Sequence, residues 1–304
     1  PTDSTGQAIV GDAQYELGHL AAAEKIYVGL ADRLGDAPEI TARLARLNHA
    51  QGNDESAVRY AAQAEQRARA GGYNRNDLAY YDILNAELAR GEGRYDDAAK
   101  EFADALELRP DYGVAIEGLG KVRAAQGRLD EAERYWKQSG KLIGAPDFHV
   151  LSALGDIELA RGNEMQARQY WSQALDAVDS LSADERIGFL RDESRFRASR
   201  GLDVSFALQL AEQDFKGRQD ALALDTLAWA QFANGDIERA RVSIDKALAS
   251  GVREAFIWYH AAEIYAAGGD RDGARMYVDK ALDLSPHFDL YESAKAVALR
   301  ATLS

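Results

Sequence analysis

A glycine recurs at nearly constant spacing along the chain, and an alanine follows each copy by five or six residues. Between successive copies the intervals are 34, 41, 34, 35, 39, 34 and 34 residues. The eight glycines are Gly18, Gly52, Gly93, Gly127, Gly162, Gly201, Gly235 and Gly269. A fixed period of this length indicates stacked supersecondary units that contact mainly their neighbours. Because the period leaves no sequence for a central core, we expect an elongated, curved and open array.

Each unit is predicted to be two helices joined by a short turn. The recurring glycine suits the end of a first helix, where the backbone adopts positive φ. Asp or Asn near it suits the start of the second helix. The alanine must be small because two helix backbones approach each other there. Pro38, Pro110, Pro146 and Pro286 all fall between units, where a helix has to stop. Two longer polar stretches, 71–77 and 180–186, are interpreted as insertions between units.

The pattern within the units resembles the tetratricopeptide repeat (TPR) family. One complete copy of its signature consists of Trp258, Ala261, Tyr265, Ala274, Val278 and Pro286. Partial copies recur, such as Ala98, Phe102 and Pro110. The resemblance implies an all-α fold, a right-handed superhelical solenoid of about eight repeats with a C-terminal capping helix. The repeats are placed at 4–37, 38–71, 79–112, 113–147, 148–181, 187–220, 221–254 and 255–288, and the cap at 289–303.

The last two repeats are similar to those of bacterial TPR proteins, many of them exported and without an assigned function. An exported or periplasmic location is therefore favoured over a cytoplasmic one. The formal net charge of −14 argues against nucleic acid as a partner, because it repels phosphate backbones. No stretch is apolar for long enough to predict insertion into a membrane. The chain contains no cysteine, which excludes disulfides and thiolate metal sites.

No arrangement of residues in the sequence predicts catalysis, a metal site or a cofactor. The five histidines never pair at a spacing of three or four residues, as a helical zinc site would require. The stretch Gly269–Gly273 resembles the start of a calcium loop but lacks the later ligands, so a repeat turn is the better interpretation. We therefore expect a protein that is not an enzyme.

In the TPR superhelix the first helix of each repeat lines the concave surface. Helical spacing then predicts which side chains face a protein or peptide partner there. These candidate partner-binding residues are Arg43, Arg46, His49, Tyr80, Leu84, Glu87, Lys121, Asp156, Arg191, Arg195, Asp225, Trp229, Phe256, Tyr259, His260 and Glu263. Taken singly, each is better interpreted as a solvated or packing residue, whereas the set as a whole describes a mixed groove with basic and aromatic sectors.

Two clusters among these candidates suggest a more specific partner. Residues 186–200 contain five arginines against two acids, a local charge of +3 in an acidic chain. Arg191 and Arg195 lie one turn apart, so they could bind an acidic segment or a C-terminal carboxylate. The alternative is salt bridging to nearby acids. The second cluster, Trp229, Phe256, Tyr259 and His260, provides aromatic anchors or else belongs to the core between repeats.

The predicted function is a non-enzymatic scaffold that binds a protein or peptide in the concave groove of the superhelix. The alternative is a regulatory sensor of a peptide or small ligand, whose solenoid closes on an effector. Closure on a ligand would change the radius of gyration, whereas a rigid scaffold would keep its shape.

Overall fold

A computed structural model describes residues 3–35 and 37–303, and within these residues the chain forms helices and no β-strand. The helices are α1 Ser4–Glu16, α2 Leu20–Leu34, α3 Pro38–Ala50, α4 Asp54–Ala70, α5 Arg75–Gly91, α6 Tyr95–Leu108, α7 Gly113–Ala125, α8 Leu129–Ile143, α9 Phe148–Ala160, α10 Glu164–Asp179, α11 Ala183–Arg186, α12 Leu190–Arg200, α13 Val204–Gly217, α14 Ala221–Ala233, α15 Ile237–Leu248, α16 Ala255–Ala267, α17 Arg271–Leu284 and α18 Ser293–Leu303. A 3-10 turn, Ile187–Phe189, connects α11 to α12. The fold is an all-α solenoid.

The recurring glycine and alanine occupy the positions that their spacing predicts, at the end of the first helix and at the crossing of the second helix. All eight glycines end a first helix with φ between 65° and 86°. The alanines at the corresponding place in the second helices are all 0% exposed. They are Ala23, Ala57, Ala98, Ala132, Ala167, Ala207, Ala240 and Ala274. A larger side chain at any of these crossings would push two closely packed helices apart.

Three helix starts differ from the predicted boundaries. Helix α5 begins at Arg75 rather than at 79. The Asn74 side chain caps it by accepting hydrogen bonds from the backbone amides of Asn76 and Asp77. The stretch 180–186 is itself partly helical, since Ser182 and Glu185 form a capping box that starts α11. Helix α12 begins at Leu190 rather than at 187. The final helix, α18, begins at Ser293 rather than at 289.

The array is closed, which corrects the expectation of an elongated, open shape. The turns of the first three helix pairs contact the loops that follow α13, α15 and α17, and we call this contact the seam. The backbone amide of Gln219 donates to the carbonyl of Glu16 at 3.2 Å. A Cβ atom on Gly52 would lie only 2.0 Å from the carbonyl oxygen of Gly251. The accessible area of 14139 Å² is close to the ~12,600 Å² of a globular monomer of this mass.

An irregular segment between α17 and α18, residues 285–292, lies inside the superhelix, and we call it the C-terminal segment. The Tyr95 hydroxyl lies 2.8 Å from the hydroxyl of Ser285 and accepts a hydrogen bond from the backbone amide of His287. Leu290 packs against the cluster that contains Trp136. The chain therefore fills part of its own concave groove.

No described helix is both long and apolar enough to cross a lipid bilayer.

Candidate functional site

The first helices and the C-terminal segment enclose a cavity of about 340 Å³, which we call the inner cavity. Most of its lining comes from the first helices α5, α7, α9, α12 and α16, with Tyr95 of α6 and Trp136 of α8. It therefore occupies the concave interior that the sequence predicted as a partner site. Four of the predicted partner residues border it, namely Lys121, Asp156, Arg195 and Phe256. Its remaining wall is formed by residues 287–290 of the C-terminal segment.

Some charged side chains of the inner cavity are neutralised within the protein. Arg90 forms an ion pair with Glu87 at 2.7 Å. Asp156 accepts hydrogen bonds from the Trp171 indole, at 3.0 Å, and from Arg200. Burial raises the pKa of Asp156 to about 6 against the opposing effect of Arg200.

Two cations of the inner cavity are left without such a partner. Lys121 and Arg195 form no hydrogen bond or ion pair with any residue in 3–35 or 37–303. The Arg195 guanidinium lies over the Phe256 ring, 4.2 Å from its centroid. Its Nε atom is buried and has no hydrogen-bond acceptor, a costly state for a charged group.

The rest of the arginine cluster is paired, which is the salt-bridging alternative that the sequence left open. Arg191 donates to Asp214 at 3.1 Å and to Asp220 at 3.3 Å. Arg186 and Arg197 both bind the fully buried Glu193. Asp214 and Asp220 lie outside residues 186–200, so the local charge of +3 did not include them. In this cluster Arg195 alone forms no direct hydrogen bond or ion pair with a described residue. Burial lowers its pKa, but the nearby carboxylates of Glu292, Asp225 and Asp289 outweigh burial and raise it.

The aromatic cluster is largely core between repeats, the alternative that its sequence left open. Trp229 and Tyr259 are 5% and 1% exposed. Trp229 stacks on His260, with ring centroids 4.0 Å apart. In this conformation these side chains pack inside the array and offer a partner no surface. Phe256 differs, because it is only partly buried and borders the inner cavity.

His260 is fully buried beneath Trp229 between two carboxylates. Its Nδ1 lies 2.8 Å from Asp225 and its Nε2 lies 3.3 Å from Glu292. Burial lowers the pKa of His260, but the two carboxylates outweigh burial and raise it to about 9. The imidazolium therefore joins α14 and α16 to the end of the C-terminal segment. Glu263, also a predicted partner residue, accepts a hydrogen bond from the Tyr259 hydroxyl at 3.0 Å.

A second, shallower cavity of about 300 Å³ lies on the early repeats, and we call it the outer cavity. Three predicted partner residues, Arg43, Arg46 and Tyr80, line it, and the rest of the lining is Glu39, Tyr73, Asp77 and Tyr81. Tyr80 is 40% exposed. Arg43 forms a bidentate pair with Asp12, with donor distances of 2.8 and 2.9 Å.

Arg46, beside it in the outer cavity, is held more loosely. Its ion pair with Glu16 spans 3.8 Å and its side chain is 43% exposed. It can therefore turn towards another acid at little cost.

Two other predicted partner residues have structural positions. His49 lies at the seam, where it joins Asp54 at 3.2 Å to Glu254 at 3.1 Å. Burial lowers the pKa of His49, but these two carboxylates raise it to about 10. Leu84 packs in the core between α4 and α5. Neither side chain faces the groove as a free contact.

One acidic cluster has a geometry that could hold a metal ion. Oxygen atoms of Glu65, Asp82 and Glu101 lie within 4.8 Å of one another. Arg69 already donates to both Glu65 and Asp82 at 2.7 Å. The protein's own guanidinium thus occupies this position, and we assign the cluster no metal.

The family of the chain follows from two matches to tetratricopeptide repeat models. One covers residues 89–139 and the other residues 226–287. The first segment spans α6, α7 and most of α8. The second segment contains the predicted signature from Trp258 to Pro286. The chain contains tetratricopeptide repeats. Such repeats generally form non-enzymatic scaffolds for protein interaction, and the TPR fold supports that role here in general terms.

Two solved structures overlap most of this chain at low identity. A tetratricopeptide repeat protein from Parabacteroides merdae is 17% identical and has a TM-score of 0.43, with 88% of this chain and 98% of that chain covered. A human IFIT1 dimer with PPP-AAAA is 15% identical and has a TM-score of 0.49, with 92% and 68% covered. No curated protein matches the sequence.

Sequence reasoning missed the C-terminal segment and Ser152 as parts of the site. Ser152 lines the inner cavity, and its buried hydroxyl has no hydrogen-bond partner in the described chain. It lies one turn before Asp156 on the same face of α9, so helical spacing could have found it. The C-terminal segment carried no such signal, because its position depends on contacts with residues almost 200 positions earlier.

Proposed function

We propose that this TPR protein is a non-enzymatic scaffold that binds a protein or peptide on the concave face of its early repeats. The observation that carries the proposal is the outer cavity, where exposed Tyr80 lies beside Arg43 and Arg46. A solvent-accessible tyrosine flanked by arginines is typical of an interaction hot spot. The later repeats contribute less, because the C-terminal segment covers their concave face.

An acidic segment is the partner chemistry that this surface fits best. Arg46 is loosely paired and half exposed, so a partner carboxylate can replace Glu16 beside it. In a chain with a net charge of −14, this attraction acts only within about 8 Å at physiological salt. An acidic peptide that also places an apolar side chain on Tyr80 is therefore favoured over a polyanion. An exported location remains a prediction.

Differential capture tests the scaffold function. Wild-type protein and the double variant Arg46→Glu/Tyr80→Ala are used as baits, with bound proteins identified by mass spectrometry. The matched control is Met165→Ala/Arg168→Glu, which removes an apolar side chain and reverses a charge at residues 76% and 77% exposed. We expect a partner retained by wild type and control and lost from the double variant. Identical sets from all three baits would place docking elsewhere.

A ligand sensor is the second candidate, and the closed inner cavity favours it. The seam and the C-terminal segment already hold the solenoid around a space of about 340 Å³. This is within the usual size range of small-molecule pockets. An effector that binds there would contact five first helices at once, and it could thereby alter the outer surface.

A further inference from the structure

We propose that the C-terminal segment is an autoinhibitory lid, which a partner peptide with an acidic, an apolar and an aromatic residue in succession displaces from the concave groove of the later repeats. In the segment itself these residues are Asp289, Leu290 and Tyr291. The groove beneath the segment is separate from the outer cavity of the early repeats. The inference therefore goes beyond the scaffold function proposed above, and either proposal can fail without the other.

The exposure of the C-terminal segment is that of a lid with two fixed ends. Ser285 and Glu292 are buried, and they adjoin α17 and α18. Between them Pro286 and His287 are exposed, while residues 288–291 are only half-buried. A loop can move about hinge residues at the ends of the helices that it joins. The middle of the segment can therefore leave the groove while both ends stay attached.

Side chains, not the backbone, hold the segment in the groove. Within residues 3–35 and 37–303, its backbone groups form backbone–backbone hydrogen bonds only with α17, with α18 and within the segment itself. The amide of His287 donates to the Tyr95 hydroxyl at 3.2 Å, as an isolated contact with a side chain. A second peptide that offers similar side chains can thus replace the segment without breaking any backbone hydrogen bond of the groove helices.

The apolar and aromatic positions of the partner follow from the contacts of the segment. Leu290 packs against the cluster that contains Trp136. The ring of Tyr291 contacts Trp171 edge-on, with centroids 5.8 Å apart, and the Arg200 guanidinium lies over it at 4.2 Å. Tryptophan and arginine side chains that enclose a ring in this way are typical of binding hot spots. The groove therefore selects an apolar residue followed by an aromatic one.

The acidic position follows from the charges around Asp289. Burial and the nearby Glu292 raise the pKa of Asp289, and Arg195 and Arg200 oppose this by favouring its charged form. Arg200 is shared with Asp156, whereas Arg195 forms no direct ion pair with a described residue. Two guanidinium groups of α12 thus favour a carboxylate at this place. A partner with a neutral or basic residue there would leave them less well compensated.

The closed position of the segment also has an energetic cost. The Oγ of Ser152 and the Nε atoms of Arg195 and Arg200 are buried without a hydrogen-bond partner in the described chain. All three residues line a smaller cavity of about 170 Å³ together with Asp289 and Tyr291. Each unsatisfied buried group opposes burial of the contact, and water can reach the contact once the segment moves out. The segment is therefore held less firmly than a fully apolar contact of the same size.

Fluorescence anisotropy of the full chain with a labelled peptide tests the proposal. The peptide is Ser-Pro-His-Phe-Asp-Leu-Tyr-Glu, the sequence of residues 285–292, with an N-terminal dye and a C-terminal amide. Leu290→Ala/Tyr291→Ala weakens the segment in the protein and leaves the groove helices unchanged. We expect this variant to bind the peptide at least about tenfold more tightly than wild type does, because its groove is open more often.

The matched control is Val242→Ala/Met276→Ala, which truncates two apolar side chains that are 57% and 44% exposed. It should bind the peptide as wild type does. Equal affinity of wild type and the segment variant, or no binding by either, would overturn the proposal.

Changes in the peptide test the chemistry of the partner. Peptides that carry Asp289→Asn or Tyr291→Ala should each bind the segment variant at least about tenfold more weakly than the original peptide does. A peptide of the same composition in scrambled order is the control for nonspecific attraction. Equal binding of the scrambled and original peptides would contradict recognition of the succession of acidic, apolar and aromatic residues.

Hydrogen exchange of wild-type protein tests displacement directly and needs no variant to fold. The full chain is labelled with nitrogen-15, so that its fragments differ in mass from those of the unlabelled peptide. With the peptide in excess we expect faster exchange in residues 287–291, since the His287 amide leaves the Tyr95 hydroxyl. Binding of the peptide without faster exchange in this range would show that the segment is not displaced.

Discussion

Single small residues set the distance between neighbouring helices. Gly118 in α7 faces the ring of Phe102 in α6, and a Cβ atom placed on it would lie 2.3 Å from that ring. Gly155 in α9 faces Trp171 of α10 in the same way, at 2.4 Å. An aromatic side chain therefore takes the space that a methyl group would need. This close packing explains why glycines are tolerated inside helices that they otherwise destabilise.

Gly118→Ala is expected to lower the free energy of unfolding by about 1–3 kcal/mol, because the fully buried Phe102 ring must move. Urea denaturation measures the effect. The matched control is Gly91→Ala at the end of α5, where a Cβ atom meets nothing within 4 Å. That change should be neutral or stabilise by up to about 1 kcal/mol. Equal destabilisation by both substitutions would contradict the packing at Gly118.

His260 makes stability depend on pH in a defined direction. Its pKa rises from 6.5 to about 9 on folding, because Asp225 and Glu292 outweigh the effect of burial. A raised pKa means that the imidazolium stabilises the folded state fully below about pH 6.5, and this contribution is lost as pH rises through 9. Arg195, which also lies near Glu292, stays protonated throughout. Burial and Glu292 raise the pKa of the neighbouring Asp289.

Thermal melts of wild type and His260→Gln between pH 6 and 9.5 check this dependence. We expect the difference in melting temperature to shrink towards the alkaline end. His19→Gln, at an exposed histidine, serves as the control and should show a constant difference. A constant difference for His260→Gln as well would mean that this imidazole carries no charge in the folded state.

At the scale of elements, the C-terminal segment is held by a few specific polar and aromatic contacts. Tyr95 contacts both Ser285 and His287, while Arg200 lies over the Tyr291 ring, 4.2 Å from its centroid. Glu292 accepts a hydrogen bond from Ser199 at 2.5 Å. These contacts come from α6, α12 and the end of the segment, so an eight-residue loop depends on distant helices for its conformation.

Tyr95→Phe should loosen this segment without disturbing α6. Loss of the hydroxyl removes hydrogen bonds to Ser285 and to the His287 amide and costs about 1 kcal/mol. Hydrogen exchange of the His287 amide should become faster. Tyr112→Phe is the control, because the Tyr112 hydroxyl has no hydrogen bond within the described residues. Unchanged exchange at His287 would show that the segment does not rely on Tyr95.

At the scale of the whole molecule, the seam turns a linear array into a ring-like body. His49, Asp54, Arg253 and Glu254 form a charged network across it, with the Arg253–Asp54 contact at 3.1 Å. Early and late repeats therefore stabilise each other, whereas an open array frays from its ends. We expect the first and last helix pairs to unfold together.

Solution scattering tests closure. A closed chain of 304 residues should have a radius of gyration near the ~19 Å of a globular protein. Asp54→Arg/Glu254→Arg places four cations at the seam and should raise the value by several ångströms. The control Asp111→Arg/Asp184→Arg reverses two exposed acids away from the seam and should leave it unchanged. A wild-type value far above 19 Å would mean that the array is open.

The sequence by itself determined the repeating unit. Gly18 and Ala23, with their seven later counterparts, specify where each first helix ends and where the second helix crosses it closely. These are contacts within about 35 residues, and such local requirements leave a periodic signal. It predicted the fold, and it gave Arg43, Arg46, Tyr80, Lys121 and Arg195 as candidates for the concave surface without grouping them. It also left open the alternative that Trp229 and Tyr259 belong to the core between repeats.

The tertiary structure alone decided how the units close and which charges stay free. Small rotations between repeats add up along the array, and their sum brings Gly52 against Gly251 and Tyr95 against Ser285. A contact between residues 190 positions apart leaves no periodic pattern in the sequence. For the same reason Arg191 forms an ion pair with Asp214, while the Nε atom of Arg195 has no hydrogen-bond acceptor among the described residues, although the two arginines occupy one face of one helix. The pairing of a charge depends on the neighbouring helices as much as on its own.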